Sequence, residues 1–233
     1  MSALTIKILT LFPEIFPGPL GLSLAGKALS KKIWDLEIIN IRDFGVGKHK
    51  IVDDEVYGGG NGMLLRADVV GPAIDFAINN LSTYRLIYTS PRGVQFNQKL
   101  SRKFSKEKNL IILCGRFEGI DERIIQEYNA EEISIGDFVL SGGEIASLAI
   151  ADAVIRLLPG VLANQDTLNE ESFNYVENKG TLLEYPQYTR PALWKNIEVP
   201  EVLRTGNHKL IDEWRNNKSL EKTENIRPDL LKK

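Results

Sequence analysis

The chain has 233 residues, 43% of them hydrophobic and 26% charged, which is the make-up of an ordinary soluble protein of one large domain, or of one medium domain with a small appendage. No apolar run approaches the roughly 20 residues that span a bilayer, and the amino terminus lacks the pattern of a secretory signal, so a cytoplasmic protein is expected. The lone Cys114 excludes an internal disulfide framework, two histidines far from any cysteine cluster make zinc improbable, and a net charge of −2 argues against gripping nucleic acid by bulk charge alone.

In chain order, Ala3 to Leu11 predicts a buried first strand that ends at Pro13, Leu22 to Ser30 a short helix, and Leu36 to Ile41 a second strand. The stretch from Val46 to Met63 predicts a long loop with glycines at 58, 59, 60 and 62. It matches neither a phosphate loop nor a dinucleotide fingerprint, and its pattern fits a ligand lid and a bland flexible loop equally well. Asp68 to Ile78 predicts a helix whose start falls at Pro72 if that proline occupies the first turn. A strand at Leu86 to Thr89 runs into Ser90-Pro91-Arg92-Gly93, and a polar helix is expected from Gln95 to Ser105. Alternating strands and helices over this length imply a parallel sheet covered on both faces.

The most informative stretch runs from Leu110 to Leu158. Leu110 to Cys114 meets Gly115-Arg116, and the apolar run from Ile133 to Leu140 meets Gly142-Gly143. Glu144 then opens a helical pattern that lasts to Pro159-Gly160. Ligands of open α/β sheets sit beyond the carboxyl ends of the strands, where glycine allows positive φ and close approach to the backbone. These corners and the one at Pro91 predict one pocket built from three strand ends.

Past Gly160, Ala163 to Lys179 is polar and asparagine-rich and reads as a linker. Beyond Pro186, short helices are expected at Pro200 to Leu203, His208 to Asn216 and Ser219 to Thr223, with Asn207 as a cap. Arg204, Lys209, Arg215, Lys218, Lys222 and Arg227 are interleaved there with Trp194 and Trp214. Individually the polar residues stay ambiguous. Glu118 and Asp121 fit a ligand contact or a helix start, Arg116 an anion clamp or a covered turn, and Arg156 a favourable cation near a helix end. Glu170 and Glu171 fit a solvated acidic pair, and no Ser-His-Asp set is within reach by spacing.

Leu113-Cys114-Gly115-Arg116-Phe117-Glu118-Gly119-Ile120-Asp121-Glu122-Arg123 and Ser134-Ile135-Gly136-Asp137-Phe138-Val139-Leu140-Ser141-Gly142-Gly143-Glu144 closely resemble the bacterial tRNA (guanine-N1)-methyltransferase family, TrmD. Further matching segments run in the same order along almost the whole chain, among them Leu11-Phe12-Pro13-Glu14, Tyr57-Gly58-Gly59-Gly60, Pro159-Gly160-Val161-Leu162, Tyr188-Thr189-Arg190-Pro191 and Gly206-Asn207-His208. The resemblance implies a SPOUT-type α/β fold, a parallel sheet with a deep trefoil knot, and a small α-helical C-terminal domain. Residues 1–162 are then the cofactor-binding domain, 163–180 a flexible linker and 181–233 a tRNA-binding domain. It also implies methyl transfer from S-adenosylmethionine to N1 of guanosine 37 of tRNA, beside the anticodon. A homodimer with its sites at the subunit interface and a dependence on Mg²⁺ follow from the same resemblance.

Carried over by motif, the cofactor side falls on Pro91, Gly93, Gly115, Ile135, Gly136, Asp137, Phe138, Val139, Leu140, Gly142 and Gly143. Arg156 matches the family arginine on the O6 side of the base, and Glu118 a glutamate important for activity. The family base is an aspartate in Glu-Asp-Ser-Phe, where this chain reads Glu170-Glu171-Ser172-Phe173. Glu171 is therefore the expected base, with Glu170 as the alternative. The chain also departs from many relatives at Gln187, where they have histidine, and at Val56-Tyr57 and Asn61, where they have prolines. Among rivals, a SPOUT methyltransferase acting at another RNA site shares the pocket. A nicotinamide dehydrogenase needs Gly-x-Gly-x-x-Gly after the first strand, where this chain has Phe12-Pro13-Glu14. A catalytically silent RNA-binding module would have no use for the carboxylates and Arg156, yet all these positions are filled.

Overall fold

Apolar side chains on alternate positions of each strand decide how the sheet is covered. The computed structural model describes residues 3–164 and 167–232, so Gln165 and Asp166 of the expected linker lie outside the described residues. One unit ends at Ala163 and the second begins at Asn164. The first runs β1 (Leu4–Thr10), α1 (Ser23–Ser30), β2 (Trp34–Asn40), β3 (Asp53–Glu55), β4 (Met63–Leu65), α2 (Ala67–Ile78), β5 (Arg85–Gln95), α3 (Gln98–Phe104), β6 (Asn109–Cys114), α4 (Glu122–Tyr128), β7 (Glu131–Ser134) and α5 (Glu144–Ile155).

Five of these strands form a parallel sheet in the order β2-β1-β6-β5-β7. Leu4, Ile6, Ile8, Ile87, Leu110, Ile112 and Ile133 pack on one face against Ala25, Phe104, Ile150 and Ala151 of α1, α3 and α5. Leu9, Leu86, Tyr88, Ile111 and Leu113 pack on the other face against Val70 and Ile74 of α2 and Ile124 of α4. Period-two alternation thus builds a core on each side, as expected for a parallel sheet. Each fully buried Leu or Ile contributes about 1.5–3 kcal/mol of transfer free energy. No helix among the described residues is long and apolar enough to cross a membrane.

Several elements differ from the sequence expectation. The Ile133 strand ends at Ser134, because the Ser134 hydroxyl accepts from Gly136 N–H at 3.2 Å and donates to Gly136 C=O at 3.0 Å, while Gly136 adopts φ +152°. This local turn takes Ile135 to Leu140 out of the sheet. Helix α2 begins at Ala67 and carries Pro72 inside it. Proline there forfeits one backbone bond, and the buried Val69, Val70, Gly71, Ala73, Ile74 and Ala77 keep the helix on the sheet. The expected loop at Val46 to Met63 contains β3, which pairs antiparallel with β4 at its end to form a hairpin. Backbone bonds from Leu65 N–H to Gly119 C=O at 3.0 Å and from Asp121 N–H to Leu65 C=O at 3.1 Å fasten that hairpin beside the end of β6.

The second unit contains α6 (Thr167–Glu170), the hairpin β8 (Asn174–Val176) and β9 (Gly180–Leu182), the hairpin β10 (Leu193–Trp194) and β11 (Ile197–Glu198), and α7 (His208–Ile226). In place of two short helices after His208 there is one of 19 residues. Asn207 caps it as expected, accepting from Leu210 N–H at 3.3 Å. Its buried positions, Ser219 and Thr223, are polar. The Thr223 hydroxyl donates to Ser219 C=O at 2.7 Å and accepts from Leu183 N–H at 2.9 Å.

Candidate active site

The carboxyl ends of β5, β6 and β7 meet the amino end of α5 around a cavity of about 460 Å³. Thr89 and Val94 both register with Ile133, so the intervening residues Ser90 to Gly93 bulge out of β5 and bring Pro91 to the rim. Gly115 and Glu118 come from the turn after β6, and Ile135, Gly136, Phe138, Val139, Leu140, Gly142 and Gly143 from the segment between β7 and α5. The three strand-end corners read from the sequence therefore border one cavity. Of the residues assigned to the cofactor, Gly93 and Asp137 are not on the lining. A Cβ on Gly93 would stand 2.4 Å from the carbonyl carbon of Glu132, so this glycine serves the contact between β5 and β7.

Positive φ is the reason for glycine at Gly136 alone among these corners, because Gly93, Gly115, Gly142 and Gly143 all lie outside that region. Close approach is the reason elsewhere. Gly143 has an ordinary helical φ of −82°. A Cβ there would lie 2.0 Å from Thr89 Oγ1, 2.9 Å from Cys114 Cα and 3.0 Å from Gly115 N. The first turn of α5 thus rests directly on the ends of two strands, and Gly143 N–H donates to Gly115 C=O at 2.9 Å. The apolar Phe138, Val139 and Leu140 lie on the exposed part of the resulting wall.

At the edge of that cavity Arg116 pairs with a buried carboxylate, a contact which sequence spacing did not reveal. Arg116 Nη2 is 3.0 Å from Glu144 Oε2, and the Glu144 side chain is 2% exposed. The guanidinium also donates to Ser141 C=O at 3.1 Å and stacks 4.2 Å from the Phe12 ring centre. Thr10 Oγ1 donates to Glu144 Oε1 at 2.8 Å. Arg116 is therefore neither free nor aimed outward. It ties the turn after β6 to the start of α5 and to the β1 end, holding the loop that carries Gly142. The partners are 28 residues apart, beyond any periodic signal.

Tyr88 is a second residue missed in the sequence. It is buried beneath Gly115 and Gly119, where added methyl groups would meet its hydroxyl at 2.8 and 2.9 Å. Desolvation pushes its phenol above the usual range. Cys114 is fully buried, 3.1 Å from the Ser147 hydroxyl, and burial drives its thiol far above the usual range. It has no reactive thiolate to offer. Glu118 is exposed at the cavity, its N–H bonded to Met63 C=O at 3.0 Å. Asp121 is the N-cap of α4, accepting from Arg123 N–H at 2.9 Å. Arg123 also holds its carboxyl below the usual carboxylate range through a side-chain hydrogen bond. Asp121 is thus a helix start, while Glu118 borders the cavity.

Two expected catalytic residues are not among the lining residues. Arg156 is the C-cap of α5, at the opposite end of that helix from Gly143, roughly 20 Å along its axis at 1.5 Å per residue. Glu171 belongs to the second unit. There it borders, together with Glu170, Asn174, Tyr185, Asp212 and Arg215, a cavity of about 320 Å³. Among the described residues, no group of three or more His, Cys, Asp or Glu side chains is gathered to hold a metal ion.

Comparison with known proteins shows the family. The family described as tRNA (Guanine-1)-methyltransferase TrmD matches residues 4–233. A tRNA (guanine-N(1)-)-methyltransferase of Rickettsia akari (strain Hartford) is 58% identical over 233 residues, covering 100% of this chain and 99% of the relative. The protein of the same name from Wolbachia pipientis wMel is 55% identical over 229 residues, covering 98% and 96%. That from Rickettsia prowazekii (strain Madrid E) is 54% identical over 232 residues, covering 100% and 99%.

Proposed function

The chain belongs to the tRNA (guanine-1)-methyltransferase TrmD family, and on that premise we propose that it transfers a methyl group from S-adenosylmethionine to N1 of guanosine 37 in tRNA, beside the anticodon. One observation carries the reading: three strand ends and the α5 amino terminus border a single cavity. Its volume of about 460 Å³ lies within the usual range for small-molecule sites. Main-chain N–H and C=O groups from Gly115 and from Ile135 to Leu140 suit the polar edge of an adenine, and Phe138, Val139 and Leu140 its apolar faces. S-adenosylmethionine, when bound there, supplies an electrophilic methyl group on a sulfonium centre. We read the segment from β5 to α5 as the SPOUT trefoil knot.

N1 of guanine carries a proton and is a poor nucleophile at neutral pH. A base must take that proton, and the charge that moves to O6 needs a cation. We assign the first role to Glu171, whose basicity is close to that of an aspartate, and the second to Arg156. Glu118, at the cavity, is assigned to the same reaction centre. Because Arg156 stands at the far end of α5 from Gly143, one chain does not bring it to its own cavity, and we infer a homodimer whose second copy completes each site. A cytoplasmic setting follows from the substrate. The Mg²⁺ dependence implied by resemblance finds no gathered ligand set among the described residues.

The test is transfer of labelled methyl from S-adenosylmethionine to an in vitro tRNA transcript with guanosines at 36 and 37. Parallel reactions use a transcript with guanosine 37 replaced and the Glu171→Ala enzyme. Label on the first transcript alone, lost with the variant, is expected. Label on both transcripts would move the target to another RNA site, and full activity in Glu171→Ala would remove Glu171 as the base.

A further inference from the structure

We propose that Glu170 is a positioning residue whose carboxylate is gripped by Tyr185 and Arg215, and that this grip presents the neighbouring Glu171 as the base. The inference rests on the methyltransferase reading above and goes beyond it by separating the roles of two adjacent glutamates.

The contacts all lie within the second unit. Tyr185 Oη donates to Glu170 Oε2 at 2.6 Å, a short, charge-assisted bond. Arg215 Nη1 stands 3.8 Å from the same oxygen, and its guanidinium carbon lies 4.9 Å from the centre of the Tyr185 ring. Asp212, one turn earlier on α7, is 3.9 Å from the same Nη1 and helps to place it. Phenol, guanidinium and carboxylate thus form a closed triangle. Desolvation and the Glu170 carboxylate raise the Tyr185 hydroxyl to about 12, so it remains a donor throughout the neutral range.

Two further anchors follow immediately. Ser172 Oγ accepts from Glu184 N–H at 3.0 Å, and Phe173 N–H donates to Leu182 C=O at 2.8 Å. Phe173 takes φ +71°, which an aromatic residue adopts only where its surroundings impose it. Glu171 therefore sits between a residue tethered through its side chain and two tethered to the β9 segment. A carboxylate that must meet a proton within a few tenths of an ångström benefits from such bracketing. In this arrangement Glu170 holds the segment, through Tyr185 and Arg215, and Glu171 is the base assigned above.

The experiment compares wild type, Glu170→Gln, Tyr185→Phe, the double variant and Glu171→Gln in single-turnover methyl transfer to the guanosine 36–37 transcript, with cofactor affinity and thermal midpoint measured alongside. Loss of one such hydrogen bond is expected to slow transfer about tenfold. Tyr185→Phe and Glu170→Gln should each show that loss, in kcat rather than KM, and the double variant should lose no more than either single. Glu171→Gln should lose roughly 10²–10⁴-fold. Cofactor affinity should stay at the wild-type value throughout. Losses in Glu170→Gln as large as those in Glu171→Gln would overturn the inference, as would losses that multiply in the double variant. A wild-type enzyme that methylates no tRNA would instead overturn the methyltransferase reading, and this inference with it.

Discussion

Gly62→Ala is expected to disable the enzyme through Glu118 rather than through stability. Gly62 lies in the turn between β3 and β4 with φ +101°. A Cβ there would fall 2.4 Å from Glu118 Cγ, 2.7 Å from Oε1 and 2.9 Å from Cδ. Two effects combine. The backbone conformation costs an alanine about 1–3 kcal/mol, part of which an exposed loop relieves by relaxing. The Glu118 side chain is exposed and free to rotate away, so the clash is relieved by moving the carboxylate about 1 Å or more, a displacement on the scale of a 10²-fold loss in rate. Gly59→Ala separates the two effects, because Gly59 has φ +80° and nothing within 4 Å of its would-be Cβ. The assay is single-turnover methyl transfer with urea unfolding in parallel. Gly62→Ala should slow transfer about 10²-fold, Gly59→Ala far less, and both should lose similar stability. In a Glu118→Ala background the further effect of Gly62→Ala on rate should vanish. An undiminished Gly62→Ala effect in that background, or an equally slow Gly59→Ala enzyme, would refute the reasoning.

Gly143→Ala has no backbone conflict, so its cost is steric: contacts of 2.9 Å to Cys114 Cα and 3.0 Å to Gly115 N have no side chain to move aside. It should destabilise by about 3 kcal/mol in urea unfolding, the upper end of overpacking, and abolish cofactor binding by calorimetry. Arg116→Met strands the buried Glu144 carboxylate and should cost about 3 kcal/mol, with more than half recovered in Arg116→Met/Glu144→Gln; equal stability of the two variants would show that the ion pair is not the cause. Asp121 has its folded carboxyl below the usual range through Arg123. Its contribution is therefore present above the ordinary value near pH 3.9 and lost as pH falls through the lower folded value. Asp121→Asn keeps an equally good cap but removes that titration. Its urea midpoint should fall less than wild type between pH 5 and pH 2.5, and an identical fall would refute the assignment.

The parts of the fold legible in the sequence were those with a hydrophobic period. Leu4, Ile6 and Ile8 against Leu9 and Leu11 already separate the two faces that the sheet covers. Strand ends needed more than the period. The apolar run continues from Ile133 to Leu140, yet the Ser134 hydroxyl and Gly136 break it after Ser134, because a local turn outcompetes a ladder at the sheet edge. Helix α7 was divided in the sequence reading for the opposite reason. Its buried face is Ser219 and Thr223, which satisfy their hydroxyls internally and carry no apolar signal. The β3–β4 hairpin has an acidic, aperiodic first strand and is held by backbone bonds to Gly119 and Asp121, partners more than fifty residues away.

The cavity is more legible in the sequence than the charged contacts around it, and the reason is physical. Glycine stands where packing leaves no room for a Cβ, against backbone at Gly93 and Gly143 and against the Tyr88 and Arg116 side chains at Gly115 and Gly142. Charged groups leave no such trace, since Arg116 reads as a covered turn until Glu144, Thr10 and Phe12 are seen around it. Glu170 reads as a solvated acid until Tyr185 and Arg215 close on it. The same difference predicts how each part fails. Substitutions at Gly143 should act on folding and on the cavity together, and at Gly93 on the β5–β7 contact, because each would press a Cβ on backbone atoms of the strands. Substitutions at Glu170 or Tyr185 should spare both and alter only the rate, because their partners are side chains of one exposed triangle. Rate effects that follow the side-chain partners and binding effects that follow the glycines would identify the cavity wall as scaffold and the linker carboxylates as chemistry.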